Sequence, residues 1–552
     1  MLSQALVALT ALVAPWTLWS WYSLYQNYRI ARKIGVPLRI IPISHENPLW
    51  MAVDKRIFIP LFERLPFGSG TFTRFNWRGW EFADKYKSHL EMGDVFMVVT
   101  PGRNWLYVCD PQALEVIFQR RGDFPRPLEI FEMVNIFGAN LSTTDGQDWQ
   151  KHRKVTAGAF NEQNNEAAWH EGVQQARDMV TYWASKKTIR STADDTRTFS
   201  LNVLSSAGFG KSYPFQGHEE QSTTERAANY KDSLQTILDN CILLFILGTG
   251  LISTKCMPRK ISNLHRAVVN FKTYMTEVYE AEKAAISKGT STSKNLMSAL
   301  IRASQDHRDG GLSESEIYGN MFLFNFAGHD TTSHTLAFAI VLLATQPTVQ
   351  TWIHEELCHV LGERSADEWS YTNDFPGLKR CLAVMLETLR LYTPVPIAKS
   401  TGKNDAHLRV RRETYVIPRN TLVIPHHVAV HTHPKYWGGD SLEWRPSRWI
   451  TRDEHPASPL DGEKVVTPRK GSFLAWTEGL RVCPGKKFSQ VEFVAAIAAV
   501  FRDWYVEPVR LGGESMEDAR RRVAKLVEED TGQVLLLQML HPEKAPLVWK
   551  RR

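Results

Sequence analysis

The chain has 552 residues, a length that corresponds to about three or four average domains. Hydrophobic residues make up 43% and charged residues 23%, which excludes collagen-like, coiled-coil and wholly disordered chains. The net charge of +7 and the six cysteines argue against nucleic acid as a partner and against a disulfide scaffold, and point to a reducing compartment.

No Asp, Glu, Lys or Arg occurs from Met1 to Tyr28. Leu2 to Leu24 is mostly apolar, with Trp16, Trp19, Trp21 and Tyr22 towards its end, the pattern of a membrane helix with an interfacial aromatic belt. Arg29, Arg32 and Lys33 follow, so the positive-inside rule places the rest of the chain in the cytosol. A cleaved secretory signal is the rival reading. It would want a basic start, a shorter apolar core and a small-residue cleavage site. Residues 1–28 are therefore expected as an anchor, and 29–50, which carry Pro37, Pro42 and Pro48, as a stiff linker.

Phe96 to Thr100 and Trp105 to Cys109 predict a hairpin around Pro101-Gly102-Arg103-Asn104. Asp110 is a candidate N-cap with Pro111 at the first helical position, opening a helix through Arg120. Helical patterns follow around Trp149, then over Glu166 to Trp183, Asn263 to Ser287, Ile317 to Ala344, Val349 to Leu361 and Leu378 to Leu391. Short strands return near Leu408 to Val410 and Thr421 to Ile424. Few strands and many helices predict a mainly α fold with small β-sheets (α+β). Cys241 to Ile252 is almost wholly apolar, with Lys255, Arg259, Lys260 and Arg266 behind it. Two readings stand: a buried helix followed by a solvated turn, or a second membrane contact with a basic collar.

The stretch Trp476-Thr477-Glu478-Gly479-Leu480-Arg481-Val482-Cys483-Pro484-Gly485 carries the strongest chemical signal. Gly479 and Gly485 bracket the cysteine where the backbone turns tightly or meets a flat ligand closely. A helical pattern from Lys486 to Trp504 places Cys483 before a helix N-terminus, whose free amides and dipole favour a thiolate. The Gly-x-Arg-x-Cys-x-Gly spacing resembles the haem-thiolate loop of the cytochrome P-450 superfamily, with Trp476 where that family usually has Phe. The resemblance implies that Cys483 is the axial iron ligand and that Arg481 pairs with a haem propionate. A thiolate pushes electron density onto iron and favours O–O cleavage, and a guanidinium suits a carboxylate.

Other segments extend the resemblance. Ala327-Gly328-His329-Asp330-Thr331-Thr332, inside an apolar helix, is similar to the family's oxygen-activation motif. Gly328 would let a planar ligand or O2 approach, and Asp330 and Thr331 would relay protons. Glu387 and Arg390, at i and i+3, match the family's Glu-x-x-Arg, and Arg448 in Pro446-Ser447-Arg448-Trp449 partly matches its Pro-Glu-Arg-Phe. Together these imply a buried ion network that orients the cysteine loop. Trp149 and Arg153 share a helix face and resemble the family's Trp-x-x-x-Arg, whose donors suit a propionate. Lys399 is a looser candidate for the same role.

His426, His427, His431 and His433 form a cluster in which His431 and His433 would share a strand face; a zinc site would need more ligands. Gly248-Thr249-Gly250 lacks a dinucleotide fingerprint, so electrons for haem must come from another protein, with Lys486 and Lys487 as docking cations. Asn140-Leu141-Ser142 is a glycosylation sequon that a cytosolic body would leave unused. The resemblance implies one cytochrome P-450 domain over 51–552, preceded by one transmembrane helix in the endoplasmic reticulum membrane and facing the cytosol. It further implies haem b (iron protoporphyrin IX), NADPH-cytochrome P-450 reductase as partner, with cytochrome b5 as a second donor, and a lipophilic small-molecule substrate. The implied activity is that of a monooxygenase similar to fungal members of secondary-metabolite biosynthesis. A haem-thiolate isomerase or dehydratase and a non-catalytic haem-binding protein are the alternatives. Pocket walls are expected from Pro127 to Leu141, Cys241 to Ile252, Phe322 to Phe326 and Pro394 to Ala398, all rich in apolar residues.

Overall fold

The computed structural model describes residues 2–44, 47–65, 70–218, 232–238, 240–252, 254, 257–290, 295–305, 311–453 and 460–552. Its axis is the helix Glu314–Thr345, opened by a capping box in which the Glu316 carboxylate accepts from the Ser313 amide at 2.7 Å. Beyond that first turn the helix is apolar on nearly every side, and such a helix must be buried all round. Its first half, through Met321, Phe322 and Phe324, enters one apolar core; its second half, Leu336 to Ala344, enters another.

The helix Lys486–Phe501, which follows the cysteine loop, packs on Glu162–Ser185. The approach is close because small residues face each other: a Cβ on Gly172 would lie 3.1 Å from that of Ala495. The helix Thr192–Phe209 lies against both Glu162–Ser185 and the axial helix. Sequence periodicity does not single it out, because Ser200, Asn202 and Ser205 are buried on it and blur the apolar stripe. Two of them bond to neighbouring helices: Asn202 donates to Gln175 at 2.8 Å, and Ser200 donates to Glu492. The amphipathic helix Met516–Glu529, capped by Ser515, is likewise an addition to the expected set.

The main sheet has five strands in the spatial order Leu38–Ile40, Val95–Val99, Asn104–Val108, Leu422–Pro425 and Lys399–Ser400. The expected hairpin is present, with Val95 opposite Val108. Asp110 caps the next helix, Pro111–Gln119, by accepting from the Ala113 amide at 2.9 Å. The expected linker is not a free spacer. Leu38–Ile40 pairs in parallel with Val95–Val99, and Pro37, which has no amide to offer, accepts from the Met97 amide at 2.8 Å.

The N-terminal helix runs over Leu2–Arg32, with Pro15 inside it. Among the described residues, no single helix is long and apolar enough to cross a membrane. Its last turns are docked: Leu24 and Ala31 are buried, and the Asn27 amide group donates to the Thr100 carbonyl at 2.9 Å. Trp16, Leu18, Trp19, Trp21 and Tyr22 are exposed. The apolar helix Cys241–Ile252 breaks at Gly248, where φ is +69°, and buries Cys241, Leu244 and Ile252. Lys255 lies outside the described residues. His431 and His433 do not share a strand: His431 belongs to the helix His427–Thr432, and His433 caps the next turn by accepting from Lys435. Asn140 of the sequon is buried, its side chain donating to Val134 and Gly138 carbonyls.

Asp110→Ala leaves the Ala113 amide without its cap. It should lower unfolding free energy by about 1 kcal/mol, read as a shifted denaturant midpoint at unchanged slope.

Candidate active site

The cysteine loop is a folded turn held by its own backbone. The Cys483 amide donates to the Trp476 carbonyl at 3.0 Å, and the Thr477 amide donates to Leu474 at 2.8 Å. Thr477 and Gly479 both have positive φ, and a Cβ on Gly479 would lie 2.8 Å from the Phe118 carbonyl, so only glycine fits there. Gly485 is different: its φ is −82° and a Cβ would make ordinary contacts with Phe160 and Cys483. Its contribution is its amide, which donates to the Cys483 sulfur.

Cys483 is exposed, yet the protein around it is dense enough to disfavour its charge. Burial pushes the Cys483 thiol above its ordinary pKa, outweighing the Gly485 amide, Arg153 and Lys486, which pull it down. The thiolate expected from the helix N-terminus alone therefore requires a further cation. Trp476 turns its indole N–H to the Ser489 hydroxyl at 3.2 Å.

Buried cations gather beside this loop. Arg481 donates to Asp145 and, at 3.1 Å, to the Thr144 carbonyl, while its Nη1 is buried with no partner. Burial lowers the Arg481 pKa, and Arg121 adds to the effect against Asp145. Burial also brings Arg126 down to about 10 and Lys399 to about 8, each repelled by Arg481 and relieved by Asp145. Arg481 lies 4.5 Å and Arg121 5.2 Å from the Trp149 ring centroid. Arg153 is half-buried and close enough to Cys483 to act on its charge. Arg481, Arg126 and Lys399 thus share the carboxylate of Asp145, with Arg121 and Arg153 close by. Lys399 is buried rather than exposed, and Arg121 and Arg126 are additions to the sequence-derived set; neither lies in a motif that would reveal it.

On the axial helix, Phe326, Ala327, Gly328 and Thr331 are accessible in a segment otherwise buried. Phe160 joins this stretch to the cysteine loop: it contacts the Gly485 position at 3.7 Å and meets Phe324 edge-on at 5.3 Å. Gly328 has a packing role, since a Cβ there would press on Leu204 at 3.1 Å. Thr331 donates to the Ala327 carbonyl at 2.8 Å. Asp330 does not join it. Its carboxylate accepts from Arg197 at 3.2 Å and lies 3.5 Å from His334; those two partners, with Asp194 and Gln538, line a cleft of about 230 Å³. Burial would raise the Asp330 pKa, but His334, His329 and Arg197 hold it below the ordinary value.

Glu387 and Arg390 form the expected pair, fully buried and bidentate at 2.8 Å. Arg448 adds a bond of 2.8 Å, the Arg445 amide another of 2.8 Å and the Trp449 indole one of 2.9 Å. Trp449 replaces the Phe usual in the resembling motif, and its N–H is a donor that Phe lacks. Of the expected pocket walls, Val134, Leu141, Leu244, Ile252, Phe322 and Phe324 share one apolar core, with Phe137 meeting Phe322 at 5.1 Å. Ile397, from Pro394 to Ala398, belongs to a different core with Phe118 and Phe124.

The sequence profile of the cytochrome P-450 family covers residues 67–535. The chain belongs to the cytochrome P-450 family. It is similar to a cytochrome P-450 monooxygenase of Arthrobotrys oligospora, 27% identical over 95% of this chain and 94% of the relative. A phomenoic acid biosynthesis cluster monooxygenase of Leptosphaeria maculans is 29% identical over 92% and 93%. The 7-deoxyloganic acid hydroxylase of Catharanthus roseus is 25% identical over 72% and 74%. The protein is accordingly a monooxygenase of the oxidoreductase class, and its cofactor is the family's thiolate-ligated haem b. The residues present fit that group: the orphaned Arg481 Nη1 and the cation excess call for carboxylates, and the accessible Cys483 offers a soft ligand.

Glu387→Gln removes the charge that compensates two enclosed guanidinium groups. It should cost about 3–5 kcal/mol of stability, measured by denaturant unfolding, and lower haem content in parallel. Lys399 binds its proton less tightly folded than unfolded, so the unfolded chain holds the extra proton between about pH 8 and 10.5. Stability of haem-free wild type should therefore rise across that window relative to Lys399→Met.

Proposed function

We propose that the protein is a membrane-anchored monooxygenase that inserts one atom of O2 into a lipophilic small molecule, using electrons from NADPH delivered by cytochrome P-450 reductase, with cytochrome b5 as a second donor. The observation that carries this reading is the convergence of an accessible Cys483, a cation cluster with one acid, and the accessible Ala327–Thr331 stripe. Cys483 would hold the haem iron through its sulfur. Trp149, Arg153 and Arg481, joined by Arg126 and Lys399, would hold the propionates. Bound haem supplies O2 activation and oxygen transfer, chemistry no side chain here can perform.

What the chain contributes is position and protons. Thr331 carries a hydroxyl proton at Oγ1 on the accessible face of the helix. Asp330, one residue earlier, is held by Arg197 and His334 on the polar side of the helix, where it would exchange protons away from Thr331. The apolar core of Phe137, Phe322 and Phe326 would receive the substrate and exclude water. The Leptosphaeria relative, by its name a member of a biosynthetic cluster, supports a role in secondary metabolism.

Support for the anchor comes from the 31-residue helix Leu2–Arg32, uncharged until Arg29, and from its exposed tryptophans. The reading places it in the endoplasmic reticulum membrane with the body in the cytosol. Lys486 and Lys487, both exposed after the cysteine loop, suit an acidic reductase face.

Expression beside a reductase, with product analysis against terpenoid, polyketide and indole precursors, tests the activity. Product formation should require NADPH, and Thr331→Ala should divert electrons into peroxide. Cys483→Ala should abolish the red-shifted band of the reduced, CO-bound protein; its retention would refute the ligand assignment. Deleting residues 1–28 should move the protein out of the carbonate-washed membrane pellet.

A further inference from the structure

Two backbone groups near the ion network need partners from outside their own elements. The Arg390 carbonyl, near the end of helix Lys379–Leu391, would ordinarily accept from residue 394, but that residue is Pro394 and has no amide hydrogen. The Leu474 amide sits in the approach to the cysteine loop, on a residue with no exposed surface. One ring satisfies both. His431 Nδ1 lies 3.1 Å from the Arg390 carbonyl, and His431 Nε2 accepts from the Leu474 amide at 2.7 Å.

The geometry fixes the tautomer. Nε2 faces an N–H and must be the acceptor, so the proton resides on Nδ1, where Thr393 Oγ1 at 3.3 Å is a second neighbour. Burial holds the His431 pKa well below its ordinary value, which keeps that acceptor available. The clamp is reciprocal, since Arg390 Nη1 donates at 2.7 Å to the His431 carbonyl. The ring is also stacked on Phe473 at 5.2 Å. From Leu474 the loop's own bonds continue, Thr477 amide to Leu474 carbonyl and Cys483 amide to Trp476 carbonyl.

We propose that His431 is a positioning residue for Cys483: its neutral ring ties the Glu387–Arg390 network to the Leu474 amide and so sets where the cysteine loop stands. Any residue could fill the volume; only a side chain with a donor and an acceptor on opposite edges joins these two groups. This role rests on the reading that Cys483 is the axial ligand.

Two substitutions split the ring's functions. His431→Gln places a carbonyl oxygen near the Nε2 position and keeps the tie to Leu474. His431→Asn places an amide nitrogen near Nδ1 and keeps only the tie to Arg390. With the haem-loaded full chain, three quantities are read: the reduced, CO-bound spectrum, the thermal midpoint, and deuterium exchange at the Leu474 amide. Both variants should lose comparable thermal stability. The Asn variant alone should lose most of the red-shifted thiolate band and exchange Leu474 about tenfold faster, the effect of one ordinary backbone hydrogen bond.

Equal spectra and equal exchange in the two variants would reduce His431 to packing and overturn the proposal. So would fast exchange of Leu474 in wild type, a measurement that needs no variant to fold. Cys483→Ala separates the underlying reading. If it keeps the thiolate band, the ligand assignment fails and the positioning role with it, even where Leu474 exchange still reports the bond from His431.

Discussion

Two arginines and an indole converge on one carboxylate, that of Glu387, in a region closed to water. Taking these charges out of solvent is expensive, and each is tolerable only while the others are present. Glu387 accepts from Arg390, Arg448, Trp449 and the Arg445 amide, while Arg390 and Arg448 spend their remaining donors on carbonyls of His431, Ser441, Glu443, Trp437 and Asp440. The network therefore draws the helix Lys379–Leu391, the helix His427–Thr432 and the segment around Arg448 to one point. The cysteine loop is attached to that point through Leu474.

The opposite requirement governs the cations beside Cys483. There, Arg481, Arg126 and Lys399 share Asp145, with Arg121 and Arg153 close by, and burial followed by repulsion from neighbouring arginines lowers the pKa of Lys399, as burial and Arg481 lower that of Arg126. At Glu387 the guanidinium donors are met by the carboxylate and by backbone carbonyls, and the site stabilises the fold. The Arg481 cluster is an unbalanced one, and such imbalance marks a place for a ligand of opposite charge. Both are built from the same residue types, and only the local count of acids separates structure from function.

The axial helix divides its labour in a similar way. A helix buried on all sides cannot read out its faces from hydrophobicity, so its sequence does not say which residues turn toward the cleft. Packing against Leu204 assigns Gly328 to helix contact, and Arg197 turns Asp330 away from Thr331. The carboxylate and the hydroxyl, adjacent in the chain, thus address different surroundings: one the ion contacts of Arg197 and His334, the other the accessible stripe.

Local spacing alone reveals the elements whose causes are local: the hairpin at 95–108, the Asp110 cap, the Glu387–Arg390 pair and the Gly-x-Arg-x-Cys-x-Gly loop. Each depends on residues within a few positions of one another, on a helical turn or a tight bend. Long-range contact decided the rest. The linker segment Leu38–Ile40 became a strand because Val95–Val99 offered it an edge, and Thr192–Phe209 became a helix whose buried Asn202 and Ser200 bond to other helices. Arg121, Arg126 and Lys399 joined Arg481, and His431 joined Arg390 to Leu474, across separations that no sequence period encodes. Hydrogen bonds and charge act through space, and chain order sets only which of them are near at the start.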